Sequence, residues 1–269
     1  MRTTLASVVT AAALAAGIAR AGPADTGTDA TLAALVAGLD PRAASTIERI
    51  EGTGRRLLAA RAYLRAGAGL DGRWSWSLEQ AAAFENTAEK RALDDAVACV
   101  RREFESRNPG YTIRVNPGFR SIDVQIERWN GNESVALAGE SLRAAAVHAL
   151  RGHSGGTPQA VAALRELLLT HAPQPPSALA APGLSPHGRL RAIDFQVESA
   201  GRIVAGTDTA SIATEWVTDG WKARLRDAVT AADAGFEGPL ASPDEPWHYE
   251  YRPQPRRAGQ EGGHGCHGA

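Results

Sequence analysis

A loop runs into a strand where the chain reads Ser185-Pro186-His187-Gly188-Arg189-Leu190-Arg191-Ala192-Ile193-Asp194. Polar and apolar residues alternate over 191–197, which predicts a β-strand. The preceding residues 173–186 are rich in proline and predict a loop that delivers His187. A hairpin-like return would bring the imidazole of His187 to the carboxylate of Asp194. By itself, this spacing is more typical of a surface pair than of a metal site.

A second segment near the C-terminus supplies complementary groups: Asp244-Glu245-Pro246-Trp247-His248-Tyr249-Glu250-Tyr251. It predicts a short, proline-stiffened strand in which Glu245 precedes His248 by three residues. Alone, it could equally be a solvated acidic turn. Taken with the first segment, it completes two imidazoles, one carboxylate ligand and a neighbouring general base, the usual inventory of a catalytic zinc site.

Three motifs, in order, carry a resemblance to a known family. Ser185-x-His187-x-x-Leu190-x-Ala192-x-Asp194 resembles the Ser-x-His-x-x-Gly-x-Ala-x-Asp signature of the zinc D-alanyl-D-alanine carboxypeptidases, which include vancomycin-resistance enzymes and some phage endolysins. Residues 245–251 are similar to the family's Glu-x-Trp-His segment. Gly118-Phe119-Arg120-Ser121, followed by Gln125, resembles Gly-Tyr-Arg-Ser…Gln. The resemblance covers roughly residues 74–252.

The resemblance implies a role for each matching residue. His187, Asp194 and His248 correspond to the zinc ligands, and Glu245 corresponds to the catalytic base. Arg120 corresponds to the arginine that holds the scissile carbonyl oxygen. The remaining matches imply contacts with substrate, and these are Ser121, Gln125 and Ser185. The implied fold is α+β and hedgehog/D,D-peptidase-like, with a small antiparallel sheet that carries the zinc site and is flanked by helices.

The chain departs from the family pattern in three places. Leu190 stands where the family has glycine, so we expect either an ordinary backbone conformation there or added bulk near the pocket. Phe119 replaces a tyrosine and removes one hydroxyl. The stretch between Gln125 and Ser185 is long for the family and predicts an inserted helical pair.

Composition limits the classes of partner. The 269 residues are 43% hydrophobic, enough for a sizeable core. The formal net charge of −1 gives no electrostatic reason to propose nucleic acid or an anionic membrane as partner. Arg2, the apolar run 5–18 and Ala19-Arg20-Ala21 are typical of a secretory signal, although a buried alanine-rich helix is the alternative. No later apolar run predicts a membrane span.

We expect four parts along the chain: a signal peptide (1–21), a leader and helical segment (22–72), the zinc D,D-peptidase-like domain (73–253) and a disordered Gly/His-rich tail (254–269). The leader is predicted to be flexible over 22–31. Periodicity predicts helices over 31–39, 43–66, 77–106, 140–150, 158–171 and 211–234, and strands over 111–115, 191–197 and 245–251. The N-terminal helices carry no chemical motif and predict a packing or spacer unit.

The two cysteines, Cys99 and Cys266, differ in context. Cys99 lies in a helical stretch among alanines and valines, so we expect a buried thiol there and a free cysteine in the tail; a disulfide between them is the alternative. His264-Gly265-Cys266-His267 could scavenge metal ions.

We therefore expect an exported, periplasmic or secreted zinc peptidase. Its partners would be peptidoglycan stem peptides or other peptides that contain D-Ala-D-Ala. An L-alanyl-D-glutamate endopeptidase, a D-Ala-D-Ala dipeptidase and a non-catalytic zinc-containing peptidoglycan-binding module are the alternatives.

Overall fold

The computed structural model describes residues 26–116 and 118–252. Ten α-helices lie within these residues: α1 (Thr26–Val36), α2 (Pro41–Glu48), α3 (Thr53–Ala66), α4 (Leu70–Arg73), α5 (Leu78–Phe84), α6 (Ala88–Arg107), α7 (Ile122–Gly131), α8 (Glu133–Ala149), α9 (Pro158–Thr170) and α10 (Trp221–Ala232). The strands are β1 (Thr112–Asn116), β2 (Ala192–Ser199), β3 (Arg202–Ala205), β4 (Phe236–Glu237) and β5 (His248–Tyr251). The predicted α+β class with a small antiparallel sheet is confirmed.

Capping side chains fix where several helices begin. Ser77 and Gln80 form the predicted capping box of α5: the Ser77 hydroxyl accepts from the Gln80 N–H and the Gln80 amide oxygen accepts from the Ser77 N–H. Thr87, Ser121 and Asn132 accept backbone N–H groups in the same way at the starts of α6, α7 and α8.

The five strands form one antiparallel sheet in the order β1-β2-β5-β4, and β3 also pairs with β2. The central strand β2 has β1 along one edge, where Asn116 faces Asp194. Its other edge is shared between β5 and β3. Ala192, Ile193, Asp194 and Phe195 are all buried, so elements cover both faces of the sheet at this point.

The first hydrophobic core, here called the helical core, is built from α1, α2, α3, α8 and α9. Helices α3 and α8 approach each other closely where Gly54 faces Gly139: a Cβ on Gly54 would lie 2.7 Å from the Gly139 backbone. Trp129 of α7 and Leu184 join the same core. Residues on both sides of the predicted boundary at residue 72 therefore pack together.

The second core, here called the sheet core, lies between one face of the sheet and helices α6 and α10. It is rich in aromatic side chains. Ile193, Phe195 and Val197 of β2 pack into it with Tyr249 of β5. Trp247 is also buried there, with its ring centroid 5.9 Å from that of Trp216. The apolar members of the strand alternation therefore all face this core.

Several local predictions differ from the structure. The part of the predicted flexible leader that is described is helical, since α1 begins at Thr26. The helix predicted over 211–234 is divided into a π-helix, Ile212–Thr218, and α10, because Gly220 adopts a left-handed conformation between them. Helix α7 and strands β3 and β4 were not predicted.

The expectation of a buried free thiol at Cys99 is wrong, because Cys99 is disulfide-bonded. The chain's other cysteine, Cys266, lies outside the described residues, as do the predicted signal peptide and the tail. None of the helices in 26–116 and 118–252 combines the length and the apolar character needed to cross a membrane.

Candidate metal centre

Strand register brings Asp194 and His248 together. The two residues are direct partners between β2 and β5. Directly opposed residues in an antiparallel pair place their side chains on the same face. Their neighbours Ile193 and Tyr249 face the sheet core, so Asp194 and His248 face the opposite side of the sheet. Both are almost fully buried.

His187 reaches the same point from a short 3-10 helix, Pro186–Arg189. The chain then reverses into β2 through Leu190, which has φ 53° and ψ 28° and is therefore left-handed. Of the two alternatives expected for Leu190, the ordinary backbone conformation is wrong: the leucine adopts the conformation for which a glycine would be favoured. This reversal lets His187 face Asp194 only seven residues before it.

The three potential ligand atoms converge closely. His248 Nδ1 lies 3.0 Å and His187 Nε2 lies 3.4 Å from the same oxygen, Asp194 Oδ1. One ligand atom from each residue falls within a mutual distance of 4.8 Å. Two ligands about 2.0–2.1 Å from a tetrahedral ion lie about 3.3 Å apart. This buried group could therefore bind a metal ion.

The ionisation of the cluster suits a metal. Burial would raise the pKa of Asp194, but the hydrogen bonds and charge of His187 and His248 outweigh burial and hold it well below its ordinary value. Burial lowers the pKa of His187 and outweighs the opposing effect of Asp194. At neutral pH the pair is thus a carboxylate and a neutral imidazole, the forms that a metal ligand must take.

Glu245 stands beside this group. Its backbone N–H donates to the Leu240 carbonyl, and its own carbonyl accepts from the His248 N–H, which closes a tight turn before β5. One carboxylate oxygen of Glu245 lies 3.7 Å from His248 Nδ1. Burial raises the pKa of Glu245, and the negative charge of Asp194 acts in the same direction. A carboxylate with a raised pKa is a better proton acceptor at neutral pH.

Arg120 binds the outer side of the cluster. Its Nη2 donates to Asp194 Oδ2 at 2.9 Å, while Oδ1 of the same carboxylate faces the two imidazoles. The guanidinium offers five N–H donors, so one contact leaves others free to face a ligand. About a quarter of the Arg120 side chain is exposed. Arg120 therefore links the buried carboxylate to the accessible side of the site.

The three predicted substrate contacts have different positions. Ser121 caps α7, and its hydroxyl accepts from the Val124 N–H. Gln125 is buried, and its amide bonds to Ser75, Arg120 and Gly183. Ser185 is half-buried at the start of the 3-10 helix and makes no side-chain capping bond there.

Small residues that the motifs alone did not explain make room for the site. A Cβ on Gly118 would lie 3.0 Å from the Ala192 carbonyl oxygen and 3.4 Å from His187 Nδ1. A Cβ on Gly188 would overlap the Ser75 side chain. Nothing in the sequence near Ser75 indicated its contact with the histidine loop, more than a hundred residues away.

No protein-family model, curated protein or solved structure matches this chain. What the site can do is therefore inferred from its own residues.

Proposed function

We propose that this protein is an exported zinc metallopeptidase that hydrolyses a peptide bond next to a D-amino acid in peptidoglycan peptides, in the manner of a D-alanyl-D-alanine carboxypeptidase. The supporting observation is the meeting of His187, Asp194 and His248 with Glu245 beside them. These are the groups that the three motifs singled out. Their convergence from separate parts of the chain supports the hedgehog/D,D-peptidase-like reading of the fold.

Zinc is the metal that we propose for this donor set. Two imidazoles and one carboxylate, with further positions open, are typical of catalytic zinc, although non-haem iron uses similar ligands. The adjacent Glu245 favours zinc, because hydrolysis needs a general base and iron oxygenation does not. When bound, zinc would lower the pKa of a coordinated water to about 7 and polarise the substrate carbonyl.

Glu245 is the proton carrier in this proposal. Its carboxylate accepts a proton from the attacking water and donates it to the nitrogen of the departing amine, so the peptide bond breaks without release of a free amide anion. The short turn that ties Glu245 to His248 fixes the base beside the ligand nitrogen. A base that is held in place loses little entropy on reaching the transition state.

Arg120 stabilises negative charge. Its contact with Asp194 orients the guanidinium, and its remaining N–H groups can receive the carbonyl oxygen as charge develops there. Burial lowers the pKa of Arg120, but an arginine remains charged throughout the neutral range. Arg120 thus provides a fixed positive charge next to the reacting bond.

The first test combines metal analysis with a base-deficient variant. We expect the purified protein to contain stoichiometric zinc and to lose it on His187→Ala. Glu245→Gln should keep the zinc but lower turnover by about 10²–10⁴-fold, because it removes the general base. Glu237→Gln is the control, since the side chain of Glu237 forms an exposed ion pair with Arg252. Full activity in Glu245→Gln, or iron in place of zinc, would contradict the proposal.

The second test identifies the bond. Mass spectrometry of digested peptidoglycan should show release of terminal D-alanine. Cleavage between L-alanine and D-glutamate would indicate an endopeptidase, and activity confined to free D-Ala-D-Ala would indicate a dipeptidase. Tight binding of stem peptides without cleavage, in the presence of zinc, would favour a binding module. Export is tested separately, by sequencing the N-terminus of the mature protein. We expect it to begin directly after Ala21.

A further inference from the structure

The amide of Gln125 connects three segments that are far apart in the chain. Its Nε2 donates to Ser75 Oγ at 3.0 Å and to the Arg120 carbonyl oxygen at 2.6 Å. Its Oε1 accepts from the Gly183 N–H at 2.9 Å. Both N–H donors of the amide are thus used within the protein, and the side chain is buried. Gln125 has no donor left for a substrate.

One of these segments, Trp74–Trp76, forms a strap over the loop that carries His187, and a second, Gly183, belongs to that loop. The Ser75 N–H donates to the Gly183 carbonyl at 2.8 Å, and the Trp76 N–H donates to the Gly188 carbonyl at 2.7 Å. These two bonds hold the histidine loop on either side of His187.

The third segment holds the loop from the side of Arg120. The Arg120 N–H donates to the His187 carbonyl at 3.4 Å, while the Arg120 carbonyl accepts from Gln125. The backbone of Arg120 is therefore fixed between His187 and Gln125. Trp74 packs against the helical core and Trp76 against the sheet core, so the strap also anchors the loop to both halves of the molecule.

We propose that Gln125 is a positioning residue of the metal centre, an inference that rests on the metal binding proposed above. It locks the strap to the histidine loop and to the Arg120 backbone, and so sets where His187 meets Asp194. Groups outside the ligand set that orient metal-binding histidines typically change metal affinity by 10–100-fold when they are removed. Gln125 acts here through the Ser75 hydroxyl and the backbone groups of Arg120 and Gly183, without contact with metal or substrate.

The test compares metal affinity in Gln125→Ala and Asn108→Ala, both in the full chain. Asn108 is a matched control, because its buried side-chain amide donates to a backbone carbonyl, that of Phe104. It lies just before β1, at the end of that strand that is farther from Asp194. Zinc affinity is measured by chelator competition, and ligand geometry by the visible spectrum of the cobalt(II) form. Circular dichroism establishes that each variant is folded.

We expect Gln125→Ala to bind zinc about 10–100-fold more weakly and to show an altered cobalt spectrum. Asn108→Ala should keep its zinc affinity within about twofold. This should hold even if its midpoint of thermal unfolding falls as much as that of Gln125→Ala. Wild-type affinity in folded Gln125→Ala, or an equal loss in Asn108→Ala, overturns the inference while leaving the proposed zinc site intact. A wild-type protein that binds no zinc overturns both.

If Gln125→Ala does not fold, Gly188→Ala replaces it. A Cβ on Gly188 would overlap the Ser75 side chain and lie 2.8 Å from Gln125 Nε2, so it should force the strap off the loop and weaken zinc binding at least tenfold. Wild-type zinc affinity in folded Gly188→Ala overturns the strap as the support of His187.

Discussion

The helical core and the sheet core bury polar groups in different ways. Beside the helical core, the buried polar residues Thr28, Thr31 and Thr46 are all hydroxyls. On the face of the sheet opposite the sheet core, the buried polar residues are ionisable and include His187, Asp194 and His248. Burying such groups is unfavourable unless they are paired. The helical core thus buries neutral hydroxyls among apolar side chains, whereas the site buries paired ionisable groups that could hold a metal.

In the helical core, we expect substitutions to change the free energy of unfolding mainly through packing. Gly139→Ala places a Cβ 2.8 Å from the Gly54 carbonyl carbon, so α3 and α8 must separate. We expect a loss of about 1–3 kcal/mol in the free energy of unfolding, measured with urea. Gly131→Ala is the control, since no atom of the described residues lies within 4 Å of its Cβ position. A loss in Gly131→Ala as large as in Gly139→Ala would break the distinction.

On the side of the sheet that carries the candidate metal ligands, we expect the free energy of unfolding to depend mainly on the protonation of buried side chains. The pKa of His187 is lowered by burial from 6.5, so below about pH 6.5 the unfolded chain binds a proton that the folded chain does not. The free energy of unfolding of the metal-free protein should therefore fall as pH decreases through this range, by at most about 1.4 kcal/mol per pH unit. Asp194 adds its own loss below about pH 3.8, because its pKa is also lowered.

The variant His187→Gln separates these contributions. Urea unfolding in the presence of a chelator should show a flatter dependence between pH 6.5 and the lowered pKa of His187. The acid loss below pH 3.8 should become smaller, because His187 is one of the groups that lower the pKa of Asp194. Glu245 acts in the opposite direction: its pKa is raised by burial, so its contribution is lost as pH rises above 4.5. Parallel curves for wild type and His187→Gln would show that His187 titrates normally in the folded protein.

Backbone strain next to the site gives a third contrast. Both Leu190→Gly and Leu190→Ala remove the partly buried side chain, but only glycine suits φ 53°. We expect Leu190→Gly to be more stable than Leu190→Ala by about 1 kcal/mol, the reverse of the usual order, because alanine keeps the left-handed strain. Denaturant unfolding of the two variants measures the difference. Greater stability in Leu190→Ala would mean that this residue is not left-handed in solution.

Each core contains a buried tyrosine, and substitution of these two residues should change stability least. The hydroxyl of Tyr63 donates to the Pro182 carbonyl at 2.7 Å, so Tyr63→Phe should cost about 0.5–1.5 kcal/mol. The hydroxyl of Tyr249 is buried without a hydrogen-bond partner among the described residues. Tyr249→Phe should therefore be neutral or slightly stabilising. Equal costs in urea titrations of both variants would show that Tyr249 has a partner in solution.

Much of the local structure was predictable, and the misses have local causes. Period-two alternation located β2 and period 3.6 located α9, because burial of one face leaves a repeating pattern. The same period predicted α2 and α3 as one helix and found only the C-terminal part of α8. Helix α7 follows directly from the Gly118–Ser121 motif, and no helix was predicted there. The π-helix before α10 was read as one continuous α-helix because its apolar spacing is similar.

The candidate site could be predicted as a set of groups but not as an arrangement. Motif spacing selected His187, Asp194, Glu245 and His248, all of which the structure brings together. The burial of the Gln125 amide, and the strap that it holds, depend on contacts between segments separated by 50 and 58 residues. No sequence periodicity reports such contacts.

By itself, then, the sequence determined the α+β class, the order of the main helices and strands, and the chemical groups available for a metal. Only the tertiary structure decided that Asp194 pairs with His248 across β2 and β5, that Leu190 turns left-handed and that Ser75 reaches the histidine loop. The physical reason is range. Periodicity and capping follow from neighbours within a few residues, whereas register and buried amide contacts follow from how whole elements pack against one another.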